Sequence, residues 1–199
     1  MLKATPRRPR YAAAGLRALV ALVAVAVGCG AHADEVDFNL NDDAAQLSYA
    51  HTPDGYSWRL GGGWLHHQDN GDIGYVDAYL TGNASSGENP LTVGLGGKAL
   101  FVDADRVDAD GGALAIGAFL RYALPAYNRI SFGGAAYFAP DVLGFGDLGQ
   151  YTEVSAWAAY NVLRDADLYV GLRNIKADFD ERGEVTVDTG LHAGFRLRF

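Results

Sequence analysis

The C-terminal segment of the chain, residues 186–199, alternates between apolar and polar side chains. Its apolar set, interrupted by Thr189, is Val187, Leu191, Ala193, Phe195, Leu197 and Phe199, and its polar or small set is Asp188, Gly190, His192, Gly194, Arg196 and Arg198. Because successive side chains of a strand point to opposite faces, the segment is predicted to form a strand with one apolar face. Soluble sandwich strands share this pattern but seldom end a chain on an aromatic residue, whereas it is typical of a lipid-facing strand in an outer-membrane barrel.

Nine further segments of alternating or β-rich character precede this one, separated by turn residues. They are residues 35–40, 44–51, 56–67, 72–82, 90–102, 111–124, 129–139, 151–163 and 166–177. The sequence therefore predicts an all-β fold, a transmembrane antiparallel β-barrel of ten strands. Bacterial single-chain barrels have an even number of strands, which ten satisfies. Eight strands is the alternative, if the opening hairpin is not part of the wall.

A ten-stranded barrel also predicts which connections face which side of the membrane, since both termini lie on the periplasmic side. The short turns 125–128 and 164–165 then face the periplasm. The longer loops 103–110, 140–150 and 178–185 face outward. The linker 83–89 is rather long for a periplasmic turn.

Aromatic residues near the strand ends are expected to form girdles at the two membrane interfaces, where rings with one apolar and one hydrated side are favoured. The outer girdle is predicted to contain Trp64, Phe101 and Phe138, and the periplasmic girdle Tyr122, Tyr160 and Phe199.

The first 33 residues are predicted to be a cleaved signal peptide. They contain five basic residues, an Ala-, Leu- and Val-rich run at 18–27 that is too short to span a bilayer, and the cleavage sequence Ala31-His32-Ala33. The barrel would then occupy residues 34–199. The alternative is a lipid anchor on Cys29, the one cysteine of the chain, which follows a partial lipoprotein box.

The net charge of the chain changes when the predicted signal peptide is set aside. Five of the 16 Lys and Arg residues precede residue 34 and none of the 24 acidic residues does, so the barrel carries 11 basic and 24 acidic side chains, a net charge of −13. This charge argues against nucleic acid as a partner, since binding nucleic acid requires a basic patch, and no nucleic-acid partner is predicted.

Charged residues on the polar faces of the strands are predicted to form a network in the lumen. The network consists of Arg59, Asp77, Lys98, Arg121, Glu153, Arg173, Asp188, Arg196 and Arg198, with Asp37 on the same face of its strand. Because charges removed from water must be paired, the network is interpreted as a set of ion pairs that plugs the barrel. The alternative is a narrow polar pore.

The sequence gives little support for catalysis, and the protein is expected not to be an enzyme. His66-His67 is the one histidine pair, and neighbouring strand residues point to opposite faces. His51 and His192 stand alone, and no Gly-x-Ser-x-Gly pattern is present. The acidic stretch 103–110 fails the calcium-loop pattern. No cofactor or metal site is predicted; the alternative is a barrel that modifies lipid A or phospholipid.

Short motifs occur in order along nearly the whole barrel segment. They are DFNLNDDAAQLSY (37–49), GGGWLH (61–66), VGLGGKAL (93–100), AIGAFLRY (115–122), YFAPDVL (137–143) and LYVGLRNI (168–175). In this order they resemble the YfaZ family of outer membrane proteins. The resemblance implies an outer-membrane β-barrel of poorly defined function and supplies no catalytic residues.

The sequence as a whole predicts a small monomeric barrel in the outer membrane, in contact with lipids and lipopolysaccharide. Periplasmic chaperones and the barrel assembly machinery would insert it, with Phe195, Leu197 and Phe199 in the C-terminal recognition signal. The expected role is structural, or that of a narrow, porin-like pore in the cell envelope. The alternatives are a lipid-modifying enzyme and a surface-binding protein that acts through its outer loops.

Overall fold

The computed structural model describes residues 33–85 and 91–199. Its strands are β1 (Ala33–Leu40), β2 (Ala44–Thr52), β3 (Trp58–His67), β4 (Gly71–Asn83), β5 (Leu91–Ala104), β6 (Ala109–Leu124), β7 (Tyr127–Ala139), β8 (Gly144–Gly146), β9 (Leu148–Leu163), β10 (Ala166–Phe179) and β11 (Gly183–Arg198). A short 3-10 turn covers Asp141–Leu143. The predicted signal peptide and Cys29 lie outside the described residues, except that β1 begins at Ala33.

The strands close into a barrel in which every pairing is antiparallel. Ten of the eleven strands follow one another around the wall, with β7 next to β9, and the pairing of β1 with β11 closes it. The remaining strand, β8, has three residues and pairs with β6 alone. The predicted ten-stranded antiparallel barrel is confirmed, and the eight-stranded alternative is wrong because β1 and β2 are full members of the wall.

The two ends of the barrel are distinguished by the chain termini. We call the end where β1 begins and β11 finishes the terminal end, and the opposite one the distal end. Between described strands, the connections at the distal end are short, except for residues 140–147, which include the 3-10 turn and β8. The predicted loops 103–110 and 178–185 shorten to residues 105–108 and 180–182, because pairing continues through their acidic ends.

The outer surface of the wall is apolar. Its exposed large side chains include Leu60, Val76, Leu80, Leu95, Ile116, Leu120, Val154, Leu168, Leu172 and Leu191. These residues alternate along the strands with buried ones, as expected when one face meets lipid and the other lines a lumen. In the described part of the chain, no helix is long and apolar enough to cross a membrane.

An irregularity in β11 changes the face of one residue. Ile175 of β10 pairs with Asp188 and Lys176 pairs with Thr186, so Val187 is an extra residue in β11. Such a bulge shifts the alternation of faces by one position. Val187 is fully buried rather than lipid-facing, and its predicted place on the outer face is wrong.

Apolar side chains fill the lumen in the distal half of the barrel. We call this cluster the distal plug; its largest fully buried members are Leu65, Val102, Leu148, Tyr151, Phe179 and Val187. They come from five wall strands and pack with buried alanines at the distal ends of β5 and β6. The alternating pattern predicts polar side chains throughout the lumen, but here both faces of the wall are apolar.

Candidate functional site

A buried ion pair lies in the middle of the lumen, directly below the distal plug. Lys98 of β5 and Glu153 of β9 point inward, and Nζ lies 2.7 Å from Oε2. The hydroxyl of Tyr151 donates to the same oxygen at 2.7 Å. The ammonium group also lies 3.7 Å from the ring centroid of Tyr137 and 4.4 Å from that of Tyr75. Both charges are therefore compensated inside the protein.

A second buried pair stands beside it on β10 and β11. A terminal guanidinium nitrogen of Arg173 lies 2.5 Å from Oδ2 of Asp188, and Arg173 Nη1 donates to Asn39 Oδ1 at 3.1 Å and to Gln46. Asn41, in the turn after β1, donates to Asp188 Oδ1 at 2.7 Å. This cluster ties β1 and β2 to the last hairpin, which supports closure of the barrel at the β1–β11 seam.

Asp77 is the predicted network member that has no ion-pair partner among the described residues. Its carboxylate lies over Gly61, where a β-carbon would come within 2.6 Å of Oδ1. Lys98 and Arg59 act on it through space without contact. It lines the central cavity of the lumen.

A group of arginines and carboxylates lies nearer the terminal end than the Lys98–Glu153 and Arg173–Asp188 pairs. Arg59 donates to Glu35 Oε1 at 2.8 Å, and Nη2 of Arg196 lies 3.0 Å from Asp37 Oδ2. Arg196 also lies 3.5 Å from Glu35, and Tyr169 donates to Asp37 Oδ1 at 2.6 Å. These contacts join β1 to β3, β10 and β11.

A third cluster completes the terminal end. Arg121 Nη2 donates to Asp167 Oδ2 at 3.1 Å, and Arg198 binds the same oxygen. The Asp167 side chain is fully buried, whereas that of Arg121 is 27% exposed. Arg198 also lies 3.5 Å from Glu35, so this cluster and the group around Arg59 and Arg196 form one continuous network.

Two spaces with partly shared linings lie among the described residues of the lumen. The central cavity, of about 150 Å³, lies among Asp77, Lys98, Glu153 and Arg173. A larger space of about 310 Å³, which we call the vestibule, lies nearer the terminal end. The two share Glu35, Arg59, Ala135, Tyr137, Trp157 and Arg196 in their linings. The polar part of the lumen is therefore closed at one end by the distal plug and becomes wider towards the terminal end.

The structure places all nine residues of the predicted charge network on the inner face, and eight of them make ion pairs there. Glu35 and Asp167 were not named in the predicted network, nor were the uncharged Gln46 and Trp157 named among the lumen residues. The signal for Asp167 was present, since it shares its face of β10 with Tyr169 and Arg173. The same signal was present for Trp157, which shares its face of β9 with Glu153 and Ser155.

The histidines lie apart from one another. His51 Nδ1 lies 2.6 Å from Asp34, and the exposed His66 lies 2.8 Å from Asp72. His67 is buried against Asn70, on the opposite face from His66, and His192 is buried in the lumen with its edge towards the Tyr169 ring. Across residues 33–85 and 91–199, no group of three or more His, Cys, Asp or Glu side chains is arranged to hold a metal ion.

Comparison with known proteins identifies the family. The family model described as "YfaZ precursor" matches residues 11–199. The chain belongs to the YfaZ family. Outer membrane protein YfaZ of Escherichia coli (strain K12) is 30% identical over 141 residues, which cover 68% of this chain and 74% of that protein.

A solved structure of the NanC porin covers 84% of this chain and 98% of its own, with a TM-score of 0.46 and 9% identity. So remote a likeness says nothing about what this chain binds or transports. Membership of the YfaZ family and the barrel fold place the protein in the outer membrane, where its apolar exterior lies among the lipids.

Proposed function

We propose that the protein is a monomeric structural barrel of the outer membrane that does not conduct ions and whose polar lumen opens only to the periplasm. The observation that carries this proposal is the distal plug. Val102, Phe179 and Leu65 are each at most 2% exposed, so the described side chains at this level pack closely enough to keep water from them. An ion that crossed this layer would lose its hydration and gain no polar partners, which is very costly.

The terminal end is assigned to the periplasm. Bacterial single-chain barrels have an even number of strands, which brings both chain ends to the same side. The assembly machinery would deliver the chain from the periplasm, and the lipid-facing Phe195, Leu197 and exposed Phe199 at this end suit a C-terminal recognition signal. Lipopolysaccharide would then surround the distal half of the wall.

The absence of conductance can be measured directly. Pure protein reconstituted in planar lipid bilayers should give no channel events. The double variant Leu65→Ser/Phe179→Ser replaces two plug side chains by small polar ones and should give events, because a cavity with polar groups can hold water whereas an apolar one stays dry. The double variant Leu172→Ser/Leu191→Ser, which changes lipid-facing residues only, is the matched control and should stay silent.

Heat-dependent gel mobility identifies the folded fraction of each variant before recording. Regular, unitary conductance steps from the wild-type protein would overturn the proposal and favour the narrow pore.

A structural barrel of this kind has no enzymatic role on lipids. His51 and His66 each have a carboxylate partner, but both lie on the outer side of the wall. The sequence contains no recognised motif that would pair either histidine with a serine or cysteine nucleophile. Mass spectrometry of lipid A and phospholipids, from strains that differ only in this gene, should give identical profiles. A new or missing acyl, phosphate or sugar group in one strain would show that the protein does modify lipids.

A further inference from the structure

The vestibule has a composition unlike the rest of the molecule. Three of its lining side chains are the arginines Arg59, Arg121 and Arg196, and one is acidic, Glu35. Its other residues include Thr52, Thr81, Thr92, Phe119, Tyr137 and Trp157. A chain with an excess of 13 acidic side chains after residue 33 thus presents mainly positive charge at this site.

The positive and negative side chains at the terminal end are unequal in number. The cations are Arg59, Arg121, Arg196 and Arg198, and the carboxylates within reach of them are Glu35, Asp37 and Asp167. Asp167 serves two arginines and Glu35 is shared by three. Counted over residues 33–85 and 91–199, the terminal-end network is therefore one negative charge short. The middle layer has the opposite imbalance, since Lys98 and Arg173 face Asp77, Glu153 and Asp188.

The arginines also retain hydrogen-bonding capacity. A guanidinium group has about five N–H donors, and the side chains of Arg59 and Arg121, which are 28% and 27% exposed, each use one of them in an ion pair. Trp157, which lines both cavities, has a buried indole nitrogen without a hydrogen-bond partner among the described residues. Donors outnumber acceptors at this site, so it suits a ligand that brings acceptors.

We propose that the vestibule binds a small polar organic anion, a molecule that carries one carboxylate or one phosphate group, from the periplasm. The anionic group supplies the missing negative charge between Arg59, Arg121 and Arg196, and guanidinium groups bind such oxygens through paired hydrogen bonds. Phe119 and Trp157, each with an arginine over one ring face, line the space that the body of the molecule would occupy. The space of about 310 Å³ is at the small end of the range for ligand sites.

Binding can be tested by isothermal titration of the folded protein in detergent micelles at low salt. The probes are glucuronate, glucose 6-phosphate and glucose, which share a sugar ring and differ in the acidic group. Saturable heat is expected from at least one of the two anions and not from glucose, and the anion that binds more tightly identifies the acidic group. Added salt should weaken the binding, because these arginines are partly exposed.

Two arginine variants at the same end of the barrel locate the site. Arg121→Gln removes a vestibule cation and should raise the dissociation constant about tenfold, the usual cost of one charged hydrogen bond. Arg129→Gln is the matched control, because Arg129 is exposed and lies with residues 161–164 outside the vestibule. It should change the constant less than about twofold. If Arg121→Gln fails to fold, Arg59→Gln replaces it, since Glu35 keeps two other arginine partners.

Three results would overturn the proposal. They are no heat from either anion at ten millimolar probe, equal binding of glucose, and equal weakening by Arg121→Gln and Arg129→Gln. The periplasmic route of entry rests on the orientation given under the proposed function, but the binding measurement does not. Failure of the conductance experiment would leave the vestibule result standing, and failure of the titration would leave the closed barrel standing.

Discussion

At the scale of single residues, Lys98 is, with Arg173, one of the two most enclosed cations among the described lumen residues. Its ammonium group is held by Glu153 and by the faces of Tyr75 and Tyr137, and its side chain is 4% exposed. Removing one partner of such a pair leaves the other charge buried without compensation, which costs far more than the intact pair contributes. Lys176, by contrast, pairs with Glu184 at a largely exposed position.

Lys98→Met should therefore lower the free energy of unfolding by about 3–5 kcal/mol, because the Glu153 carboxylate loses its counter-charge. Lys176→Met removes an exposed pair with the same chemistry and should cost less than about 1 kcal/mol. Urea unfolding in lipid vesicles, followed by tryptophan fluorescence, measures both.

A Lys98→Met/Glu153→Met double variant should recover part of the loss, since it removes the stranded charge as well. If Lys98→Met lowered the free energy of unfolding as little as Lys176→Met, water in the central cavity would be hydrating the Glu153 carboxylate.

At the scale of strands, close approach between neighbours depends on glycine. Gly96 of β5 packs against β4, and a β-carbon there would fall on the backbone oxygen of Ala78. A β-carbon on Gly82 of β4, by contrast, would meet no atom within 4 Å. Both glycines lie within strands, so they differ in crowding rather than in secondary structure.

Gly96→Ala is expected to destabilise the barrel by about 1–3 kcal/mol, because the backbone of β4 must shift to admit the methyl group. Gly82→Ala is the matched change at an uncrowded position and should alter stability by less than about 0.5 kcal/mol. Heat-dependent gel mobility, scored as the temperature at which the folded band disappears, compares the two. Equal midpoints would show that the wall absorbs the added methyl group.

The alternation of side chains predicted the strands and the inward position of Lys98, Glu153 and Arg173, because period-two patterning depends on sequence alone. It failed at Val187, where a bulge inserts one residue and the alternation restarts. It also failed to predict the distal plug, since an inward Leu65 or Leu100 looks no different from a lipid-facing leucine. Asp77 lies in the lumen with the predicted network but makes no ion pair with a described residue, because contacts across a lumen depend on strand stagger, which the sequence does not specify.

At the scale of the whole molecule, the interior is divided along the barrel axis. The distal half is apolar, the middle layer carries an excess of acid, and the terminal end carries an excess of arginine. Which compartment meets the arginines depends on how the barrel lies in the membrane. Cysteine labelling can determine this, because the one cysteine of the chain precedes the barrel.

Arg106→Cys, in the distal turn, should react in intact cells with a maleimide attached to a polymer too large to cross the outer membrane. Ala126→Cys, in the terminal-end turn between β6 and β7, should react only after the membrane is permeabilised. Both positions are exposed in the folded protein, so reactivity reports the side of the membrane rather than burial. The reverse pattern would show that the vestibule faces the outside medium.

The distal plug has a consequence for how solutes enter and leave the lumen. A compartment with one mouth is filled and emptied by the same route, so its occupancy follows the concentration on that side alone. If the proposed closed barrel is right, a solute bound there is not transferred across the membrane, however tightly it is held. The measurement suited to such a protein is the amount of solute bound, not the rate of its passage.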